Sequence, residues 1–103
     1  MPGKPRKGYF YKTAQGRASY EIDADSEFVF KLATVLESRF GFQAEGKPLD
    51  GIDVVYWDFT RDGLRLMVGW DIWSGCFVVA TNPEGDQMVQ EIGQYLEGVL
   101  HEL

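Results

Sequence analysis

One cysteine, one histidine and four prolines are spread through 103 residues, and each scarcity removes a class of answer. Cys76 alone excludes an intramolecular disulfide, so the fold does not depend on an oxidising compartment. Zinc is held by several Cys and His ligands, and one of each cannot close a site. A Ser-His-Asp or Cys-His mechanism would have to use His101. That residue lies near the C-terminal end of an amphipathic run, where a cationic imidazole suits the helix dipole, and an incidental role is the preferred reading. Cys76 sits in an apolar run, which favours an inert buried thiol over a reactive one. No G-x-G-x-x-G and no P-loop occurs. Asp23-Ala24-Asp25-Ser26-Glu27 opens like a calcium loop, but Phe28 and Thr34 stand where the glycine and the bidentate glutamate belong. The chain is expected to be no enzyme and to carry no cofactor or metal. Long hydrophobic runs are missing too. Tyr9-Phe10-Tyr11 is too short for a leader core, and nothing approaches the roughly 20 apolar residues of a membrane span. A cytoplasmic protein is the expectation.

What is present is a chain that is 45% hydrophobic, enough for one domain that buries roughly two-thirds of its unfolded surface in a single core. The net charge is −6, and its distribution is uneven. Residues 1–20 hold Lys4, Arg6, Lys7, Lys12 and Arg17 without an acid, whereas residues 21–103 hold all 16 acids and five bases, giving +5 and −11. An acidic body repels nucleic-acid phosphates and steers cationic partners toward itself. Residues 1–7 read as a mobile basic tail and 8–103 as one domain. Bases interleaved with aromatics from Lys4 to Arg17 could form an RNA-binding arm. A tail followed by an edge hairpin whose lysines discourage strand addition is the plainer reading, and nucleic acid is not expected elsewhere.

The strongest local signal is Asp62-Gly63 between two apolar runs, the pair that a two-residue type I′ hairpin requires. With those two as the loop, Phe59 faces Leu66, Trp57 faces Val68 and Val55 faces Trp70, all apolar. The other face then pairs Thr60 with Arg65, Asp58 with Met67, Tyr56 with Gly69 and Val54 with Asp71. A slip of one residue would set Trp57 and Phe59 against polar or glycine positions. Around this hairpin, Tyr9–Tyr11 and Ala18–Ile22 suit a second one, with a loop of about four residues around Gln15-Gly16. Asp25 or Ser26 caps a helix over about 26–40, closed by Arg39 and Gly41. Phe42–Glu45 suits a short strand and 46–51 a turn-rich link. Cys76–Ala80, apolar on both faces, reads as a central or doubly covered strand. Asn82-Pro83 opens a second helix, over about 84–101, with Gly85-Asp86 as an alternative later start, and with Met88, Val89, Ile92, Tyr95, Leu96, Val99, Leu100 and Leu103 on one stripe. The fold class is therefore α+β, an antiparallel sheet of three to six strands packed against two helices.

Two helices cover one face of such a sheet, and the opposite face still shows Val54, Tyr56 and Met67. The N-terminal hairpin could cover that face, or the face could be a binding surface. Tyr56 could also lay its ring over Gly69, a known patch for a weak strand pair. If open, Tyr56, Met67 and Trp73 rimmed by Asp53, Asp58 and Asp71 have the composition of a protein-interface centre with acidic steering. Asp58 and Asp71 share this face, but on the order of 14 Å separates their Cα atoms, too far for the roughly 5 to 9.5 Å of a glycosidase pair. Asp58 and Arg65 instead suit a cross-strand ion pair.

The segment Gly69-Trp70-Asp71-Ile72-Trp73-Ser74-Gly75, followed by an apolar strand, a Pro/Gly/Asp break and a terminal amphipathic helix, resembles the C-terminal half of small uncharacterised bacterial α+β domains of immunity-protein type. The resemblance covers about residues 52–100 and carries over no functional residue. It implies a module of immunity or antitoxin type; the acidic body and the absent catalytic set make a non-enzymatic, protein-binding module the leading expectation, with Tyr56, Asp58, Asp71, Trp73, Met67 and Asp53, chosen from the composition of the second face, set against a basic, toxin-like partner. Two alternatives stand beside it: a small-ligand or carbohydrate-binding domain, since Trp and Tyr beside Asp can hold a sugar, and a homodimer closed through the second sheet face.

Overall fold

Asp62 and Gly63 adopt φ of 49° and 83°, the two successive positive values that define the type I′ turn. The strands they join, β4 (Val54–Arg61) and β5 (Leu64–Asp71), pair in the expected register at all eight positions, from Arg61 opposite Leu64 to Val54 opposite Asp71. The computed structural model describes residues 7–103, so of the expected basic tail all but Lys7 lies outside the described residues. Before the central hairpin come β1 (Gly8–Lys12), β2 (Ala18–Ile22), α1 (Phe28–Phe40) and β3 (Gln43–Asp50); after it come β6 (Gly75–Ala80) and α2 (Asp86–Val99). The six strands form one antiparallel sheet in the order β1-β2-β6-β5-β4-β3.

Alternation then assigns the two faces. Tyr20 and Ile22, Cys76 and Val78, Leu66 and Val68, and Val55 and Phe59 all point to the side of the helices and are buried. Val29, Leu32 and Leu36 of α1 and Val89, Ile92 and Leu96 of α2 meet them there, also buried. Each such side chain contributes about 1.5–3 kcal/mol by leaving water. Trp57 and Trp70 pack on this core partly buried, and Arg39 of α1 lies over the Tyr95 ring of α2 at 4.7 Å. Among the described residues no helix is long and apolar enough to cross a membrane.

Several local expectations are corrected. The N-terminal hairpin does not fold over the second face; β2 pairs edge-on with β6, so this hairpin widens the sheet. No side chain of Asp25 or Ser26 caps α1. Their backbone carbonyls accept from Phe28 (3.1 Å) and Val29 (3.2 Å), so a tight turn satisfies the first N–H groups and the helix starts two residues later than expected. The segment after α1 is not a short strand and a link but one eight-residue strand, with its register broken between Glu45 and Leu49. The irregularity lets the Gly46 carbonyl accept from Trp57 Nε1 at 3.1 Å. Asn82 does cap the second helical segment, accepting from the Gly85 N–H at 3.0 Å, but Pro83–Gly85 is a 3-10 turn and α2 proper runs from Asp86 to Val99.

Candidate functional site

On the face away from the helices, one row of neighbours crosses all six strands: Tyr9, Glu21, Phe77, Gly69, Tyr56 and Leu49. The next row is Tyr11, Ser19, Val79, Met67, Asp58 and Glu45. Among the described residues no helix lies over either row. The apolar side chains shelter one another instead. Phe77, only 8% exposed, extends its ring across Gly69, where an added Cβ would lie 2.7 Å from the ring tip. The ring that patches the glycine is therefore Phe77, from β6, and not the expected Tyr56, which stands beside it with centroids 6.2 Å apart. Leu49, Tyr9 and Tyr11 at the two margins stay exposed.

Tyr56, Met67 and Asp58, proposed from alternation alone, share this surface. Asp58 does not pair with Arg65; the base reaches across to Glu45 on β3 at 3.8 Å. Within β2, β6, β5 and β4 Arg65 is the one base on this face, so the surface stays acidic.

Asp53, Asp71 and Trp73 gather at one end of the sheet, where the β3–β4 and β5–β6 connections lie side by side, tied by the Ile72 N–H donating to the Asp53 carbonyl at 3.2 Å. Asp71 Oδ1 accepts from the backbone N–H groups of Trp73 (3.0 Å) and Ser74 (2.6 Å), an Asx arrangement that fixes the turn. The turn closes on Gly75 at φ 76°, with the Ile22 carbonyl 2.6 Å from where a Cβ would be. Only glycine fits both demands. The Trp73 side chain on this turn is 86% exposed, and Ile52 on the β3–β4 connection is 96% exposed.

Two further residues complete the site. Tyr9 and Glu21 line the same end of the sheet with Asp71 and Trp73 around a cleft of about 430 Å³. Burial first, and then the negative charge of Asp71, raise the Glu21 carboxyl above its ordinary value. Glu21 had a signal in the sequence, a lone acid inside the strand Ala-Ser-Tyr-Glu-Ile, but its proximity to Asp71 depends on both flanking β6. Cys76 points to the helix side and donates its thiol to the Asp25 carbonyl at 3.0 Å, while His101 lies exposed beside Glu102 at 3.7 Å. Among the described residues no group of three or more His, Cys, Asp or Glu could hold a metal ion. No family model, curated protein or solved structure matches the chain.

Proposed function

We propose that this protein is a non-enzymatic binding module whose uncovered sheet face receives a basic protein partner, in the manner of an immunity protein or antitoxin. One observation carries the reading. Both helices pack on a single face, and the other presents Tyr9, Tyr11, Tyr56 and Met67 among Glu21, Glu45, Asp58 and Asp71, with Arg65 the one base that the four central strands set among them. An apolar centre supplies contact area when water leaves, and the acidic rim selects and steers a cationic surface. Asp53 and Trp73 extend the same character to the end of the sheet.

The test is recovery of a partner from native lysate by the parent and by a Tyr56→Ala/Trp73→Ala double variant shown by circular dichroism to be folded. A basic protein bound by the parent and lost by the double variant is expected. Equal recovery by the two rejects this surface as the site. Light scattering of the free protein separates the homodimer alternative, which requires a species twice the 11.7 kDa of the chain.

A further inference from the structure

In the cleft at the end of the sheet two acids, Glu21 and Asp71, meet the aromatic rings of Tyr9, Trp70 and Trp73 in a concave shape. Its rim is formed by Tyr9, 57% exposed, and by Trp73, while Glu21, Trp70 and Asp71 are partly buried within it. We propose that the cleft seats an arginine side chain of the partner, its guanidinium paired with Glu21 and Asp71 and flat against Tyr9 and Trp73. This rests on the protein-binding reading above and names the side chain that the site takes.

Shape and ring chemistry come first. About 430 Å³ lies at the small end of ligand pockets, room for one long side chain rather than a folded element. Tryptophan offers the best face for a cation, and a planar guanidinium stacks on aromatic rings where a compact ammonium does not. The backbone that carries Trp73 is fixed by a turn that Asp71 closes, so little backbone ordering remains to be done on binding. Charge is the second argument. Among the described residues neither Glu21 nor Asp71 forms an ion pair, the bridges being those of Asp86, Glu45 and Glu102. A forked cation can meet two carboxylates at once. Apolar neighbours are the third. Ile72, 57% exposed, lines the cleft, so the arginine it fits stands among apolar residues of the partner rather than in a polyarginine tract.

The probe is the blocked tripeptide acetyl-Leu-Arg-Leu-amide, compared with the same peptide carrying citrulline, the neutral isostere of arginine. In two-dimensional amide NMR the arginine peptide is expected to shift the Trp73 indole N–H and the amides of Tyr9, Glu21 and Gly75. Affinity is expected to fall about tenfold or more with citrulline, and likewise in Glu21→Gln, since each removes a charge-assisted bond. Shifts of equal size with citrulline overturn the proposal, as do shifts centred on Tyr56 and Met67 or no shifts at millimolar peptide. Failure here is distinguishable from failure of the broader reading. A native partner retained by Glu21→Gln and lost by Tyr56→Ala/Trp73→Ala removes the arginine seat and leaves the binding face standing.

Discussion

Tyr20 carries its hydroxyl into a buried position where no hydrogen-bond partner meets it among the described residues. Its ring packs on Phe10 with centroids 4.9 Å apart, and burial, followed by the charge of Glu97, pushes its pKa up to about 12. An orphaned hydroxyl costs its lost hydration, so Tyr20→Phe should keep the packing and raise stability by about 1 kcal/mol. Urea unfolding would show a higher midpoint at an unchanged slope. Glu21 makes a second prediction at this scale. Its carboxyl holds a proton more tightly in the fold than in the unfolded chain, by burial and by Asp71. The ionised form therefore costs stability above the folded pKa, and the cost disappears as pH falls through it. Glu21→Gln should melt higher than the parent at neutral pH, with the pH-dependent part of the gap closing as pH approaches the ordinary 4.5. A gap that widens on acidification would contradict this account. The same raised carboxyl fits a residue placed to receive a cation rather than one buried for stability.

The element on which the site turns is the β5–β6 hairpin. Its connection rests on two devices, the Asp71 carboxylate that takes two backbone N–H groups and the left-handed Gly75 pressed on the Ile22 carbonyl. Gly75→Ala meets both an unfavourable φ and a backbone atom that cannot move aside, and should cost about 2 kcal/mol or more. Asp71 separates turn from charge. Asp71→Asn keeps an oxygen acceptor for Trp73 and Ser74 and should unfold close to the parent, whereas Asp71→Ala should lose about 1–2 kcal/mol. Both should weaken the arginine peptide, and thermal melts beside peptide titrations would check the split. The hairpin before it was legible from residues alone, because Asp62-Gly63 and the alternation of Trp57 and Phe59 point to one register. The Phe42–Asp50 segment was not. Pro48, Gly46 and Gly51 read as turn chemistry, and the pairing of Leu49 and Asp50 with β4 beyond the irregularity overrides it.

At the scale of the whole molecule, a net charge of −6 and an acidic open face make association an electrostatic matter first. For a basic partner the on-rate should fall at least tenfold or so between about 0.05 and 0.5 M salt, with the off-rate changing far less. Stopped-flow fluorescence of the tryptophans would record both, and a salt-independent on-rate would contradict acidic steering. The same charge opposes pairing of two identical faces, so light scattering should find the 11.7 kDa species at micromolar concentration.

Residues near one another in the chain determined the α+β class, the core assignment of Trp57 and Trp70, the central register and the shared face of Tyr56, Asp58 and Met67. Turn chemistry and the two-residue period of a strand are local, and a sequence carries local rules directly. Tertiary structure alone decided that β2 joins β6 at the edge and leaves the second face uncovered, that Phe77 and not Tyr56 shields Gly69, and that Glu21 comes beside Asp71. The placement of β2 and the approach of Glu21 to Asp71 depend on pairing between segments 54 to 60 residues apart in sequence, whereas the Phe77–Gly69 contact follows from the pairing of β6 with β5; in both cases the alternation within a strand is compatible with several pairings.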